Sequence, residues 1–269
     1  MSIRQYYEHK KVKGLKVGRL NGGINTQFIV YRIGDTVIDT GPSNQWRYVR
    51  PYLSEAPVRQ LLLTHHHEDH TGNARRIARH FKLIPKAPLL SQKKLASGYA
   101  TPLIQKIVWG SPQPVNTEPL EDIEYLSDGS PIVPVATPGH AKDLTCFHLP
   151  DKGYLFSGDL YIARTIKIMR SDEKLTEMIS SLKKAIALDF DTLFCPHGGI
   201  FENGRQALEG KLHNILKLCN QVKELKLKGW DEQQILIELL GPEDWVAKIS
   251  SGNLSRLNLI KQCSVVELN

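Results

Sequence analysis

The stretch LLLTHHHEDHTGN, residues 61–73, sets four histidines, a glutamate and an aspartate in six consecutive positions directly behind three leucines. The leucines read as a short buried strand, and the polar block cannot share that burial unless each group finds a partner. The same ending recurs along the chain: IVPVATPG is followed by His140, GYLFSG by Asp159 and TLFCP by His197. Loops at strand ends project side chains into a common crevice, so ligands that end separate apolar runs can meet at one edge of a sheet. His65, His67, Asp69 and His70 join His140, Asp159 and His197 in that set. Imidazole and carboxylate without thiolate suit zinc and leave iron and manganese open. Three histidines with a shared carboxylate make one four-coordinate site. Two further histidines, or a histidine and Asp69, complete a second.

Up to about residue 200 the text mixes strands and helices. TQFIVYRI and TVIDTG, joined by Gly34-Asp35, predict a hairpin, and GNARRIARHFKL predicts a helix with Ala74, Ile77, Ala78 and Phe81 on one face. Residues 85–124, rich in Pro, Ser, Lys and Gln, read as a long irregular excursion with one short helix. SDEKLTEMISSLKKAIALDF reads as a helix capped by Ser171, with Leu175, Met178, Ile179, Leu182 and Ile186 sharing a face. Beyond Glu202 the texture is all helical: one long helix over Arg205–Lys228, a second between Gly229 and Gly241, a third from Asn253 on. The division expected is a catalytic domain over 1–204 and a helical extension over 205–269 packed on it.

Composition narrows the class. At 41% hydrophobic and 23% charged residues the 269-residue chain reads as a globular protein, with no stretch of about 18 apolar residues to suggest a membrane span. Cys146, Cys195, Cys219 and Cys263 lie far apart without a CxxC pair and read as buried thiols of a cytoplasmic protein. The net charge of +7 leaves anionic substrates or nucleic acid open, but the lysines are scattered rather than gathered in a block.

With these residues in order, the sequence resembles the metallo-β-lactamase superfamily of metallohydrolases. That family shows an aspartate after an early strand, then H-x-H-x-D-H, then a histidine, an aspartate and a last histidine. Here these are Asp39 in VIDTG, the block from His65 to His70, His140 in TPGH, Asp159 in SGDL and His197 in CPHGG, a match running from about Asn25 to Gly199. The resemblance implies a four-layer αββα sandwich with two divalent metal ions at one edge, zinc favoured. It places His65, His67 and His140 on one metal and Asp69, His70 and His197 on the other, with Asp159 bridging and Asp39 orienting a ligand from behind. It also implies hydrolysis by hydroxide generated between the metals, with Asp69 steadying the nucleophile. His66 and Glu68 fall outside the pattern and read as supporting or solvated residues. His9, His80, His148 and His213 match no motif.

Details within the family narrow the activity. Asp159 stands where lactam-hydrolysing members use a cysteine, which disfavours antibiotic hydrolysis. THHHEDHTGN is close to the thioester-hydrolysing glyoxalase II pattern, but the tail lacks a basic motif matching that enzyme's glutathione-binding residues. The reading is a hydrolase cleaving an ester, thioester, lactone or related bond of a small molecule. Its alternative is a phosphodiesterase or endoribonuclease whose tail, GWDEQQILIELLGPEDWVAKISSGNLSRLNLIKQC, forms a helix-turn-helix-like module. Packing on the domain or a homodimer contact is the other use for that tail. Lys167 and Arg170, eight and eleven residues behind Asp159, are candidate contacts for an anionic part of the substrate.

Overall fold

The computed structural model describes residues 3–20 and 26–267, so Asn25, where the resemblance begins, lies outside the described residues. Strand β1 (Ile3–His9) pairs antiparallel with β2 (Val12–Gly18), and β2 with β3 (Phe28–Ile33). Gly34, at φ +58°, and Asp35 then turn the chain into β4 (Thr36–Ile38), giving the expected hairpin. Strands β5 (Gln60–Leu62), β6 (Lys86–Ala87) and β7 (Glu118–Pro119) add on in parallel, so seven strands follow one another in sequence order. Parallel neighbours need crossovers. These are supplied by α1 (Trp46–Leu53) before β5, by α2 (Glu68–Thr71) and α3 (Ala74–Phe81) before β6, and by α4 (Leu89–Ser97) and α5 (Leu103–Trp109) before β7.

A second sheet has six strands, β14-β13-β11-β10-β9-β8. They are β8 (Glu124–Tyr125), β9 (Pro131–Ala136), β10 (Thr145–Leu149), β11 (Tyr154–Phe156), β13 (Thr192–Cys195) and β14 (Gly199–Phe201), with β12 (Met169–Arg170) lying elsewhere. The strands' alternation sorts the core. Leu15, Val17, Phe28, Val30, Leu61 and Leu63 pack with Val49, Leu53 and Ile77 of the helices. The residues between them, among them Ile29, Tyr31, Ile33 and Leu62, pack against Phe147, Phe156 and Phe194 of the second sheet. Helices, sheet and sheet are thus three layers, each fully buried aliphatic or aromatic side chain contributing about 1.5–3 kcal/mol. Glu124, 3% exposed, accepts from the half-buried Lys86 Nζ at 2.9 Å and from Gln60 Nε2 at 3.0 Å, which ties the two sheets.

All of this belongs to the first of two compact units, which takes the chain as far as Ala136 with Asp143–Ile162 and Asp189–Gly204. The second unit takes Thr137–Lys142, Ala163–Leu188 and the residues from Arg205 on. It contains α6 (Leu175–Ile186), α7 (Gly204–Leu227, whose first residue closes the first unit), α8 (Glu232–Leu240), α9 (Trp245–Ile249) and α10 (Arg256–Val265). Leu208, Ile215, Cys219 and Val222 form the buried stripe of α7, and α10 buries Leu259, Ile260 and Cys263. None of the four cysteines forms a disulfide and all are buried, and among the described residues no helix is long and apolar enough to cross a membrane.

Three local expectations need correction. Residues 85–124 carry two helices, each opened behind a proline, Pro88 or Pro102, and closed by a glycine at positive φ, Gly98 or Gly110. Proline presets the entry and lacks the N–H that a helix start leaves unused, while glycine supplies the left-handed exit, so this punctuation outweighs the polar composition. Ser171 does not cap α6: its hydroxyl donates to Asn253 Oδ1, and the amide of Leu175 is satisfied by Gln262 Oε1. The tail is not wholly helical, since β15 (Leu254–Ser255) pairs antiparallel with β12.

Gly72 shows how tightly the loops after β4 and β5 meet. A Cβ there would press into backbone atoms of Ser43, Glu68 and Gly41, none of which is a flexible side chain. Gly72→Ala is expected to cost about 1–3 kcal/mol, as overpacking does. In a thermal unfolding scan the midpoint falls by roughly 2–4 °C for each kcal/mol.

Candidate metal centre

Strand direction brings the donors together. Strands β4 and β5 are parallel, as are β11 and β13, so within each sheet the loops behind these strands leave from the same end. Asp39 follows β4, the His65–His70 block follows β5, Asp159 sits in the 3-10 turn Gly158–Leu160 behind β11, and His197 follows β13. Helix α2 is only four residues long, with His67 at its N-cap, and it turns Asp69 and His70 back toward the strand ends.

The donor atoms converge. Asp69, His70 and His197 each offer one ligand atom within 4.8 Å of the others, and His65, His67 and Asp159 do the same. Asp159 stands between the groups: its Oδ1 lies 3.2 Å from His70 Nε2 and 3.2 Å from His197 Nε2, and its Oδ2 lies 4.0 Å from His65 Nε2. His197 Nε2 is also 3.4 Å from Asp69 Oδ2. All six residues are buried. His140 lies on the Thr137–Lys142 segment of the second unit, where its Nδ1 is 2.6 Å from Glu173 Oε1.

Ring orientation is set from behind. Asp39, at φ +55°, accepts from the Thr64 amide and hydroxyl at 2.8 Å each, and its Oδ2 is 2.7 Å from His70 Nδ1. His197 Nδ1 is 2.8 Å from the carbonyl of Gln27. Each contact takes the proton at Nδ1 and turns Nε2 toward Asp159. Phe28 presses edge-on against both rings, at 4.8 Å from His70 and 5.5 Å from His197.

Electrostatics say what the cluster fits. Burial presses His70 toward its neutral form, but the carboxylates of Asp159, Asp39 and Asp69 outweigh it and hold its pKa well above the ordinary histidine value. His197 is treated alike: burial lowers its pKa, and Asp159 and Asp69 raise it beyond that effect, with His70 opposing. The field therefore favours positive charge where the Nε2 atoms meet Asp159. His70 Nε2 is buried without a hydrogen-bond partner among the described residues and lies 3.2 Å from Asp159 Oδ1. A buried set of imidazoles and carboxylates with lone pairs turned inward is the donor chemistry of a hard or borderline divalent cation.

Several supporting residues escaped the motif. Thr40 donates to the His70 carbonyl from its amide at 2.7 Å and its hydroxyl at 2.8 Å, and Asn73 Nδ2 donates to the carbonyls of Thr40, Gly41 and Pro42. Asn73, in DHTGN, was visible as a turn residue. His66 does not join the donors: its Nδ1 faces Asp143, at 2.8 and 2.9 Å from the two oxygens. Arg170, exposed in sequence terms, has its guanidinium against Asp172 at 3.0 and 3.2 Å. Lys167 is exposed and lines a cavity of about 270 Å³ inside the second unit, with Ile215, Leu218 and Leu259.

A sheet sandwich with imidazoles and carboxylates gathered at the strand ends defines a class of metal-dependent folds. A β-lactamase domain protein from Burkholderia ambifaria superposes with a TM-score of 0.71 at 16% identity, over 97% of this chain and 86% of that one. The metallo-β-lactamase superfamily matches residues 21–197, and the chain belongs to that family, with its αββα fold. Among curated relatives, the atrochrysone carboxyl ACP thioesterase of Aspergillus fumigatus is 26% identical over 81% of this chain, which spans 60% of that protein. A β-lactamase-like protein 2 homologue of Caenorhabditis elegans is 21% identical over 90% of this chain and 79% of its own length. A hydroxyacylglutathione hydrolase of Pectobacterium carotovorum is 26% identical over 77% of this chain and 70% of its own.

Removing the carboxylate behind His70 should loosen the site without touching a donor. Asp39→Ala is expected to lower metal affinity roughly 10–100-fold, the usual cost of losing such a supporting contact. Competition of the loaded protein with a chromophoric chelator reads this directly.

Proposed function

We propose that the cluster holds two divalent metal ions, zinc by preference, and that the protein hydrolyses an ester, thioester or lactone of a small molecule. The single observation behind this reading is the convergence of Asp69, His70 and His197 beside His65, His67 and Asp159, with every ligand atom in each group within 4.8 Å of its fellows. In this reading His65, His67 and His140 hold one ion, Asp69, His70 and His197 the other, and Asp159 is shared. Two cations so held would make hydroxide available at neutral pH and polarise a carbonyl oxygen.

The chain's own residues do the rest. Asp39 keeps the proton on His70 Nδ1, and Glu173, 2.6 Å from His140 Nδ1, does the same for His140, so that each Nε2 can serve as a ligand atom. Asp69 has a second oxygen with which to steady the attacking hydroxide. The bond type is supported by the names of two relatives, a thioesterase and a hydroxyacylglutathione hydrolase. An aspartate at position 159 rather than a thiolate argues against a soft metal.

The RNA-cleaving alternative would need free cations on the tail. Arg256 instead donates to the carbonyls of Leu240 and Pro242 at 2.7 and 2.9 Å and faces Asp244 at 3.5 Å, so its charge is spent within the second unit.

The expected result is a protein that binds close to two zinc ions per chain by elemental analysis and hydrolyses simple thioesters until a chelator strips them, with zinc restoring turnover. Asp159→Ala should lose metal and activity together, by more than the roughly 10–100-fold cost of losing a supporting contact. Metal-replete protein that binds no transition metal would sink the reading.

A further inference from the structure

His66 interrupts the donor motif without donating to it, and its surroundings give it another task. Its Nδ1 faces the Asp143 carboxylate at 2.8 and 2.9 Å, and its own amide donates to Asp143 Oδ2 at 2.9 Å. Asp143 is buried and also accepts from the Ser91 hydroxyl at 2.6 Å, so the carboxylate is fixed from a third side. Burial raises the pKa of Asp143, but the contacts with His66 and Ser91 outweigh it and hold the carboxyl below its usual range. An ionised carboxylate at Nδ1 keeps the ring proton there and leaves Nε2 as a lone pair. That lone pair meets the Lys94 ammonium at 2.6 Å.

Lys94 is therefore held, although it is exposed. Its Nζ also sits 5.0 Å over the Tyr99 ring, and the Tyr99 hydroxyl donates to the carbonyl of His66. Burial pushes the Tyr99 phenol up, so it stays a donor. The His66 ring in turn lies 4.7 Å from that of His67. One imidazole thus separates a fixed ammonium from the donor cluster. Among the described residues Lys94 makes no ion pair, and the bond to His66 uses only one of the three N–H donors of its ammonium. A long flexible cation at a surface is ordinarily solvated and mobile. A cation anchored by an imidazole that is itself anchored by a buried, triply bonded carboxylate has had its position prepared.

We infer that Lys94 is the anion-binding residue of the substrate site, taking a carboxylate or phosphate carried by a substrate whose scissile carbonyl lies at the donor cluster. The inference rests on the hydrolase reading for the scissile bond, but the anion site is testable without turnover. His66 and Asp143 are positioning residues. They explain why a histidine that is not a donor stands inside the donor block.

Two substrate pairs distinguish the sources of the anion. The succinyl and butyryl thioesters of N-acetylcysteamine place a carboxylate, or none, in the acyl half. The acetyl thioesters of 4′-phosphopantetheine and pantetheine place a phosphate, or none, in the thiol half. In Lys94→Gln the anionic-to-neutral ratio of kcat/KM is expected to fall about tenfold for one pair, the loss lying in KM, as for a lost hydrogen bond to a charged group. Lys94→Glu should invert the ratio and Lys94→Arg should restore most of it. His66→Ala should reproduce part of the loss. Calorimetry with the thioethers, in which a methylene replaces the carbonyl, reads the same preference in the zinc-loaded protein without hydrolysis. If wild type hydrolyses neither pair but its thioether affinity depends on the charge at position 94, the anion site stands and the hydrolase reading fails for thioesters. If the ratios and affinities do not respond to that charge, or no anionic thioether binds, the inference is overturned.

Discussion

The carboxylate of Asp39 is the contact on which the rest of the centre depends. It is 2% exposed and accepts from three donors: the amide and hydroxyl of Thr64 and Nδ1 of His70. A buried carboxylate left short of partners costs several kcal/mol, so this geometry is all or nothing. Because the donors lie 25 and 31 residues further along, satisfying the carboxylate fixes the loop behind β4 against both ends of the His65–His70 block. It also requires φ +55° at Asp39, a conformation that aspartate tolerates better than a bulky or β-branched residue.

That tie works because the strands beneath it are already aligned. Parallel pairing of β4 with β5 in one sheet and of β11 with β13 in the other sends every donor-bearing loop of a sheet out of the same end. The antiparallel steps from β9 through β10 to β11 leave β9 running the same way as β11. Parallel strands buried on both faces read as unbroken apolar text, as LLLT, GYLF and TLFC do. The polar residue that ends each run is therefore also the point where the strand leaves the core.

This explains what could be read from the chain and what could not. The gathering of imidazoles and carboxylates at the strand ends was readable because their loops follow apolar runs, and the Gly34-Asp35 hairpin and the α7 stripe were readable because turn chemistry and periodicity are local. Partners far along the chain were not: His66 meets Asp143 77 residues away, and Lys86 meets Glu124 across 38. Nothing in a window around either residue announces the other. The Ser171 cap failed for the same reason, since Gln262, 87 residues on, supplies the acceptor at Leu175. The boundary expected at residue 204 follows the change in composition, whereas the compact units also assign Ala163–Leu188 and Thr137–Lys142 to the company of the tail. Composition records what a segment is made of, and packing records what it touches.

Charge shows the same separation of scales. The chain carries a formal net charge of +7, yet the pKa values of His70 and His197 are raised because carboxylates dominate their immediate surroundings. Interactions among exposed charges are screened within about 8–10 Å at ordinary ionic strength, so the scattered lysines contribute little at the buried donors. What matters at the centre is the local excess of carboxylate, which favours a bound cation, and at its rim the placement of single positive groups. On the proposed two-metal reading, the cations and their ligands would compensate one another within the cluster, leaving an anionic substrate no strong attraction beyond the metals themselves. Orientation then has to come from a charge outside the cluster. The proposed anion site would supply that charge through a lysine held by His66, with its carboxylate counterweight at the other ring nitrogen, without adding a competing positive group among the donors.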